Sequence, residues 1–137
     1  MISAFKKYWQ NYVKFGGRTR RKDYWLAVLC LGICGAIVGA IANIGATTVT
    51  DPTTGLQTLQ QTAIGSAISS VWGLATIVPS LSLEFRRLHD TGKRGWYLLW
   101  NLLPIIGQII IFIALVKGGD TGANKYGEDP KQAAIEA

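Results

Sequence analysis

Trp25-Leu-Ala-Val-Leu-Cys-Leu-Gly-Ile-Cys-Gly-Ala-Ile-Val-Gly-Ala-Ile-Ala-Asn-Ile44 contains no Asp, Glu, Lys, Arg or His. A hydrocarbon core of about 30 Å is crossed by roughly 20 helical residues, so this run is long enough to span a bilayer. Two further stretches share the property, Ala63 to Leu83 and Trp96 to Val116. Only helices or closed barrels satisfy their backbone groups in lipid, and the many alternating segments of a barrel are absent. A chain of 137 residues is also too small to wrap three wholly apolar helices in a water-facing shell. The expected fold class is therefore all-α: one integral membrane helical bundle of three transmembrane helices, over about 25–44, 63–83 and 96–116.

Before the first span, Ile2, Phe5, Trp9, Tyr12 and Val13 recur at steps of three or four, with Lys6, Lys7, Gln10, Asn11 and Lys14 between them. This pattern predicts an N-terminal amphipathic helix over 2–15 in the membrane interface. The long polar lead and the missing small-residue cleavage site argue against a cleavable signal peptide. The second span is diluted by Ser66, Ser69, Ser70, Thr76, Ser80 and Ser82, with Pro79 near its end. It is expected to be the most enclosed of the three.

The net charge is +6, and its distribution orients the chain. Lys6, Lys7, Lys14, Arg18, Arg20, Arg21 and Lys22 face only Asp23 before the first span, and Arg86, Arg87, Lys93 and Arg94 outnumber Glu84 and Asp90 after the second. The loop Gly45 to Thr62 carries Asp51 alone, and the polar tail 117–137 is weakly acidic. Basic side chains collect on the cytoplasmic face, so the N-terminus and the 84–95 loop are expected inside and the acidic loop and the tail in the periplasm. The basic clusters then need no nucleic acid, and anionic phospholipid is the expected counter-charge.

Helices associate in lipid through small residues and polar contacts. Gly35 and Gly39 on the first span, and Gly65, Ser69 and Gly73 on the second, form such stripes. They are expected to meet within one chain, with a homo-oligomer through Gly35 and Gly39 as the alternative. Pro104 followed by Gly107 predicts a kink in the third span, with Asn101 and Gln108 on one face bonding to the serines of the second span. A re-entrant third segment, which would return the tail to the inside, is the other reading of that break. Cys30 and Cys34, one turn apart in the first span, read as packing residues.

Unusual polar residues gather in three places: Gly17-Arg18-x-x-Arg21-x-x-Tyr24-Trp25, Arg86-Arg87-Leu88-His89-Asp90 followed by Trp96, and Gly122-x-Asn124-x-Tyr126-Gly127-x-Asp129-Pro130. With Pro79, and in this order around apolar spans, they resemble the DUF805 family of small bacterial inner-membrane proteins. The resemblance covers almost the whole chain. It implies an integral membrane location and leaves activity open. Arg94 departs from the small polar residue that the family more often has there.

The residue types suggest an anion-gripping site. Arg18, Arg21, Arg86 and Arg87 offer guanidinium forks suited to phosphate or carboxylate, Arg86 and Asp90 are spaced to pair on a helix, and Arg87 and His89 point elsewhere. Tyr24, Trp25 and Trp96 suit an interfacial aromatic belt. Asn124, Tyr126, Gly127 and Asp129 read as ordered turns. A cation site from Asp120, Asn124 and Asp129 matches no EF-hand spacing. His89 and Asp90 have no nucleophile beside them, so neither a catalytic residue, a metal nor a cofactor is expected. The function expected is a non-enzymatic membrane component that binds anionic lipid or a partner protein. The alternatives are a subunit of an oligomeric transporter or channel, and a membrane enzyme acting on lipid or a small anion.

Overall fold

The computed structural model describes residues 1–132; the last five residues of the tail lie outside the described part. Among the described residues, the main α-helices are α1 (Ile2–Gln10), α2 (Arg21–Ala42), α3 (Ala63–Asp90) and α4 (Ile106–Val116). A β-hairpin of β1 (Thr47–Thr50) and β2 (Gln57–Gln60) joins α2 to α3, and a 3₁₀ helix (Gly95–Leu102) precedes α4. Contacts divide the chain into two units, Met1–Leu29 with Val78–Ala137, and Cys30–Ile77.

Among the described residues, two helices are long and apolar enough to cross a membrane, α2 with 22 residues and α3 with 28. Their apolar side chains are not core residues: only 17% and 11% of their most apolar windows are buried. Ile33, Ile37 and Ile41 on α2, and Val71, Leu74 and Ile77 on α3, are exposed. Apolar surface on this scale requires a nonaqueous neighbour. At about 1.5 Å per residue α3 is roughly 42 Å long, more than the roughly 30 Å hydrocarbon core, so its polar final turns project beyond it.

The third apolar stretch is not the continuous span expected of 96–116. Pro104 supplies no N–H, and its ring disfavours the helical region for the residue before it. Leu103 is accordingly extended, at φ −90° and ψ 111°. Ile105 takes φ 67° and ψ −67°, and the Ile106 N–H donates to the Pro104 carbonyl at 2.8 Å. That is a γ-turn of the rare, strained kind. A Cβ at Gly107 would strike the Trp100 carbonyl, so glycine permits the tight return of the chain. What remains is an eight-residue 3₁₀ helix and an eleven-residue α-helix. Each is about 16 Å long, roughly half the hydrocarbon thickness.

In the unit Cys30–Ile77, the small-residue stripes meet only in part. A Cβ at Gly65 would strike the Ala42 carbonyl, and one at Gly35 would touch Trp72 Nε1 at 3.5 Å, while Gly39 and Gly73 have nothing within 4 Å. The close approach thus falls at Gly65 rather than along a shared Gly35/Gly39 face. The hairpin between them was not foreseen from sequence. Its antiparallel register pairs Thr47 with Gln60 and Thr50 with Gln57. Asp51 closes its turn by accepting from the Thr53 N–H at 2.7 Å.

In the other unit, α1 ends at Gln10, short of the 2–15 expected. It docks by Ala4 and Tyr8, which are buried, and leaves Lys6 and Lys7 exposed. Tyr8 Oη bonds to Ser80 Oγ at 2.9 Å, and Ser82 Oγ donates to the carbonyls of Asn11 at 2.8 Å and Lys14 at 3.1 Å. The serines of α3 in this unit therefore hold the N-terminal segment. Asn101 and Gln108, expected to bond to serines, are exposed.

Candidate functional site

Three polar segments converge at the C-terminal end of α3. Asp90 is at their centre, and its two carboxylate oxygens are divided between two arginines. Arg18 Nη2 lies 2.9 Å from Oδ1, with Arg18 Nε donating to the same oxygen at 3.0 Å. Arg87 Nη1 lies 2.5 Å from Oδ2. All three side chains are buried, at 1% exposure for Arg18, 0% for Arg87 and 2% for Asp90.

Helical phase explains which arginine was chosen. Both i,i+3 and i,i+4 neighbours of Asp90 are within reach on α3, and successive residues are rotated by about 100°. Arg87 shares the Asp90 face, whereas Arg86 points toward α1. This corrects the expected pairing of Arg86 with Asp90 and the expectation that Arg87 projects elsewhere, whereas His89 does turn away from Asp90, toward Tyr126 and the Gly17 carbonyl.

Two guanidinium charges against one carboxylate leave a buried positive excess, and backbone carbonyls absorb it. Arg87 donates through Nε to the Leu115 carbonyl at 3.0 Å and through Nη2 to the Lys117 carbonyl. Arg21 Nη1 reaches the Val116 carbonyl at 3.4 Å. These are the carbonyls left without intrahelical partners at the end of α4, where the helix dipole is negative. Arg18 similarly donates to the tail carbonyls of Asp120 at 2.7 Å and Gly122 at 2.6 Å.

The tail is seated on the carbonyls at the end of α3 by one backbone and one side-chain donor. The Asp120 N–H donates to the Asp90 carbonyl at 2.7 Å, and Asn124 Nδ2 to the His89 carbonyl at 3.0 Å. A Cβ at Gly119 would overlap the Asp90 carboxylate, and one at Gly92 would meet Asp120 Oδ2 at 2.7 Å. Both glycines are required by close approach. Asn124 Oδ1 accepts from the Tyr126 N–H at 2.9 Å, and Asn124 and Gly127 exchange backbone hydrogen bonds. Asp129 accepts from the Gly122 N–H at 3.0 Å and the Lys131 N–H at 2.9 Å, and the Lys131 and Gly122 bonds hold its carboxyl below the ordinary value. His89 stacks on Tyr126 with ring centroids 3.9 Å apart, and its Nδ1 faces the Gly17 carbonyl at 3.2 Å. A carbonyl only accepts, so the contact assigns the proton to Nδ1.

The tail is thus in direct contact with Arg18, His89 and Asp90. Among the expected site residues, Arg18, Arg87, His89, Asp90, Asn124, Tyr126, Gly127 and Asp129 come together. Tyr24 is buried against Trp25, whose ring meets Phe112 edge-on at 6.0 Å. Trp96 stands apart and is 76% exposed, beside an apolar cleft with Phe85 and Leu99. Thr19 was not singled out, yet it is buried and its N–H donates to the Arg86 carbonyl at 3.0 Å. No local pattern around it gives that contact away.

Arg18, Arg87 and Asp90 with the tail carbonyls form a buried ionic knot, and Arg86 is the member of the set that it does not consume. Its Nε donates to the Ser82 carbonyl at 3.2 Å, and its Nη2 is buried with no hydrogen-bond partner. An unsatisfied buried polar group costs about 1–3 kcal/mol, more when charged. The side chain lines a cavity of about 370 Å³ with Lys7, Lys14, Arg20 and Asp23.

Comparison with known proteins agrees with the resemblance of the three motifs. Residues 12–128 match the family described as "Protein of unknown function (DUF805)". Inner membrane protein YhaI of Escherichia coli K12 is 38% identical over 122 residues, covering 89% of this chain and 90% of that protein. Inner membrane protein YhaH of the same strain is 34% identical over 127 residues, covering 93% and 95%. No solved structure matches the chain. The exposed apolar helices and these relatives place it in the bacterial inner membrane, and the chain belongs to the DUF805 family.

Proposed function

We propose that this protein is a non-enzymatic inner-membrane component whose basic N-terminal segment binds anionic phospholipid on the cytoplasmic face. The observation that carries the reading is the division of labour among the cations. Arg18 and Arg87 are spent on Asp90 and on backbone carbonyls, whereas Lys6, Lys14 and Lys22 are exposed. Exposed Ile2 and Val13 accompany these lysines, the pairing of apolar and basic groups that suits a bilayer surface. Each such charge near an anionic leaflet is worth about 1 kcal/mol.

In this reading the N-terminus, the knot and the tail all lie in the cytoplasm, with the loop Gly45 to Thr62 in the periplasm and the segment Trp96 to Val116 re-entrant. The positive-inside rule supports that side. Binding to nanodiscs of increasing phosphatidylglycerol content tests the function. A Lys6→Gln, Lys22→Gln variant should lose much of its dependence on anionic lipid, and added salt should mimic the loss. A variant as sensitive to lipid charge as the native chain sinks the reading.

A further inference from the structure

We infer that the cavity bounded by α1, residues 16–20 and α3 is a binding site for a phosphoryl group, gripped by Arg86. The inference deepens the lipid reading by naming a chemical class and a pocket. Arg86 is 7% exposed, yet its Nη2 has no hydrogen-bond partner; the other such guanidinium nitrogen among the described residues, Arg20 Nε, at least lies 3.0 Å from the Asp23 carboxylate. A buried cation with an unpaired donor, on the wall of a cavity, is completed by an anion.

The surroundings have the matching charge. Lys7, Lys14, Arg20 and Arg86 line the cavity with Asp23 as its one carboxylate, and Arg18 lines it with its guanidinium already turned to Asp90. Asp23 is itself neutralised, lying 3.0 Å from Arg20 and 3.6 Å from Lys7. Lys14 and Arg86 are the cations left over. Thr19, Arg20 and Asp23 bring the start of α2 to the same wall, and the N-terminal end of a 22-residue helix adds positive potential.

Size and rigidity fit the same ligand. About 370 Å³ lies at the small end of ligand cavities, suited to a phosphate with a short attached group rather than to a large metabolite. The wall is braced on both sides of Arg86, by Ser82 holding the carbonyls of Asn11 and Lys14 and by the Thr19 N–H on the Arg86 carbonyl. A guanidinium fixed in this way recognises a tetrahedral oxyanion with little ordering cost. Inorganic phosphate, a soluble phosphomonoester and the headgroup of phosphatidic acid share this chemistry.

The test uses the full chain. Calorimetric titration with inorganic phosphate in neutral detergent is paired with retention of phosphatidic acid against phosphatidylglycerol, read by native mass spectrometry. Saturable binding of either probe, weakened roughly tenfold or more by Arg86→Gln, is expected from the loss of charge-assisted hydrogen bonds. Phosphate binding in detergent identifies a soluble ligand; selective retention of phosphatidic acid alone identifies the lipid. Should Arg86→Gln fail to fold, Lys7→Gln with Lys14→Gln replaces it, because both lysines are exposed. Binding of neither probe, or equal binding by the native chain and the folded variants, overturns the inference. Lys6 and Lys22 are outside the cavity wall, so their substitution reports on the surface lipid reading separately.

Discussion

Arg18 and Asp90 are separated by 72 residues in the chain, yet their side chains meet at 2.9 Å with almost no exposure. The contact joins the segment leading into α2 to the end of α3. Because Arg18 also holds the carbonyls of Asp120 and Gly122, one guanidinium binds three parts of the sequence.

Asp90→Asn should be the most damaging single change in the knot. It keeps the shape but leaves Arg18 and Arg87 buried without a counter-charge, a loss of about 3–5 kcal/mol. Thermal unfolding in detergent should show a large fall in midpoint. A near-native midpoint would mean that the carbonyls alone neutralise both arginines.

Gly119→Ala should release the tail without touching a charge. Its Cβ would overlap the Asp90 carboxylate, and relieving such crowding costs about 1–3 kcal/mol. Limited proteolysis should then cut near Gly118 to Lys125 faster than in the native chain, while α2 and α3 stay protected. Unchanged cleavage would contradict the close packing.

Arg87→Lys should loosen the end of α4 specifically. Lysine keeps the charge but has no planar fork to reach Asp90 and the Leu115 and Lys117 carbonyls together. Faster amide exchange over residues 113–117, with α3 less affected, is the expected signature. Uniform protection would show that those carbonyls need no cap.

Acid should open the tail turn before it opens the helices. Asp129 has a folded value below its ordinary one near 3.8, held there by the Lys131 and Gly122 N–H groups. Such a group contributes stability that is present above the ordinary value and is lost as pH falls through the lower folded value. Exchange at Gly122 and Lys131 should accelerate below about pH 4, and Asp129→Asn should abolish that pH dependence. Acceleration that persists in the variant would assign the opening to another carboxylate.

Reagents that do not cross the membrane should modify Lys6 and Lys125 from the same side. The tail that carries Lys125 is bonded to Asp90 and Arg18, which connect directly to the N-terminal segment. Opposite labelling would require the segment Trp96 to Val116 to cross fully, and would contradict the knot.

Much of the architecture was legible because membrane insertion is read one segment at a time. Charge-free runs at Trp25 and Ala63 suffice to mark α2 and α3, and the residues of the knot were nearly all visible as three unusual clusters. The break in the third stretch was signalled by Pro104 and Gly107. Its consequence stayed open between two readings, because composition does not distinguish a kinked span from two half-length pieces that fold back. The knot was visible as a parts list only: Arg86 and Arg87 are indistinguishable by charge or by distance along the helix from Asp90.

The sequence by itself determined the membrane environment, the two long helices, the basic bias of the N-terminal segment and the family, since hydropathy and charge are local properties. The tertiary structure alone decided that Arg87 and Arg18 neutralise Asp90, that the tail returns to them, and that Arg86 keeps an unpaired donor at a basic cavity. Those outcomes depend on helical phase and on where the chain reverses at Pro104. A rotation of about 100° between neighbours separates the arginine that pairs with Asp90 from the one that keeps an unpaired donor.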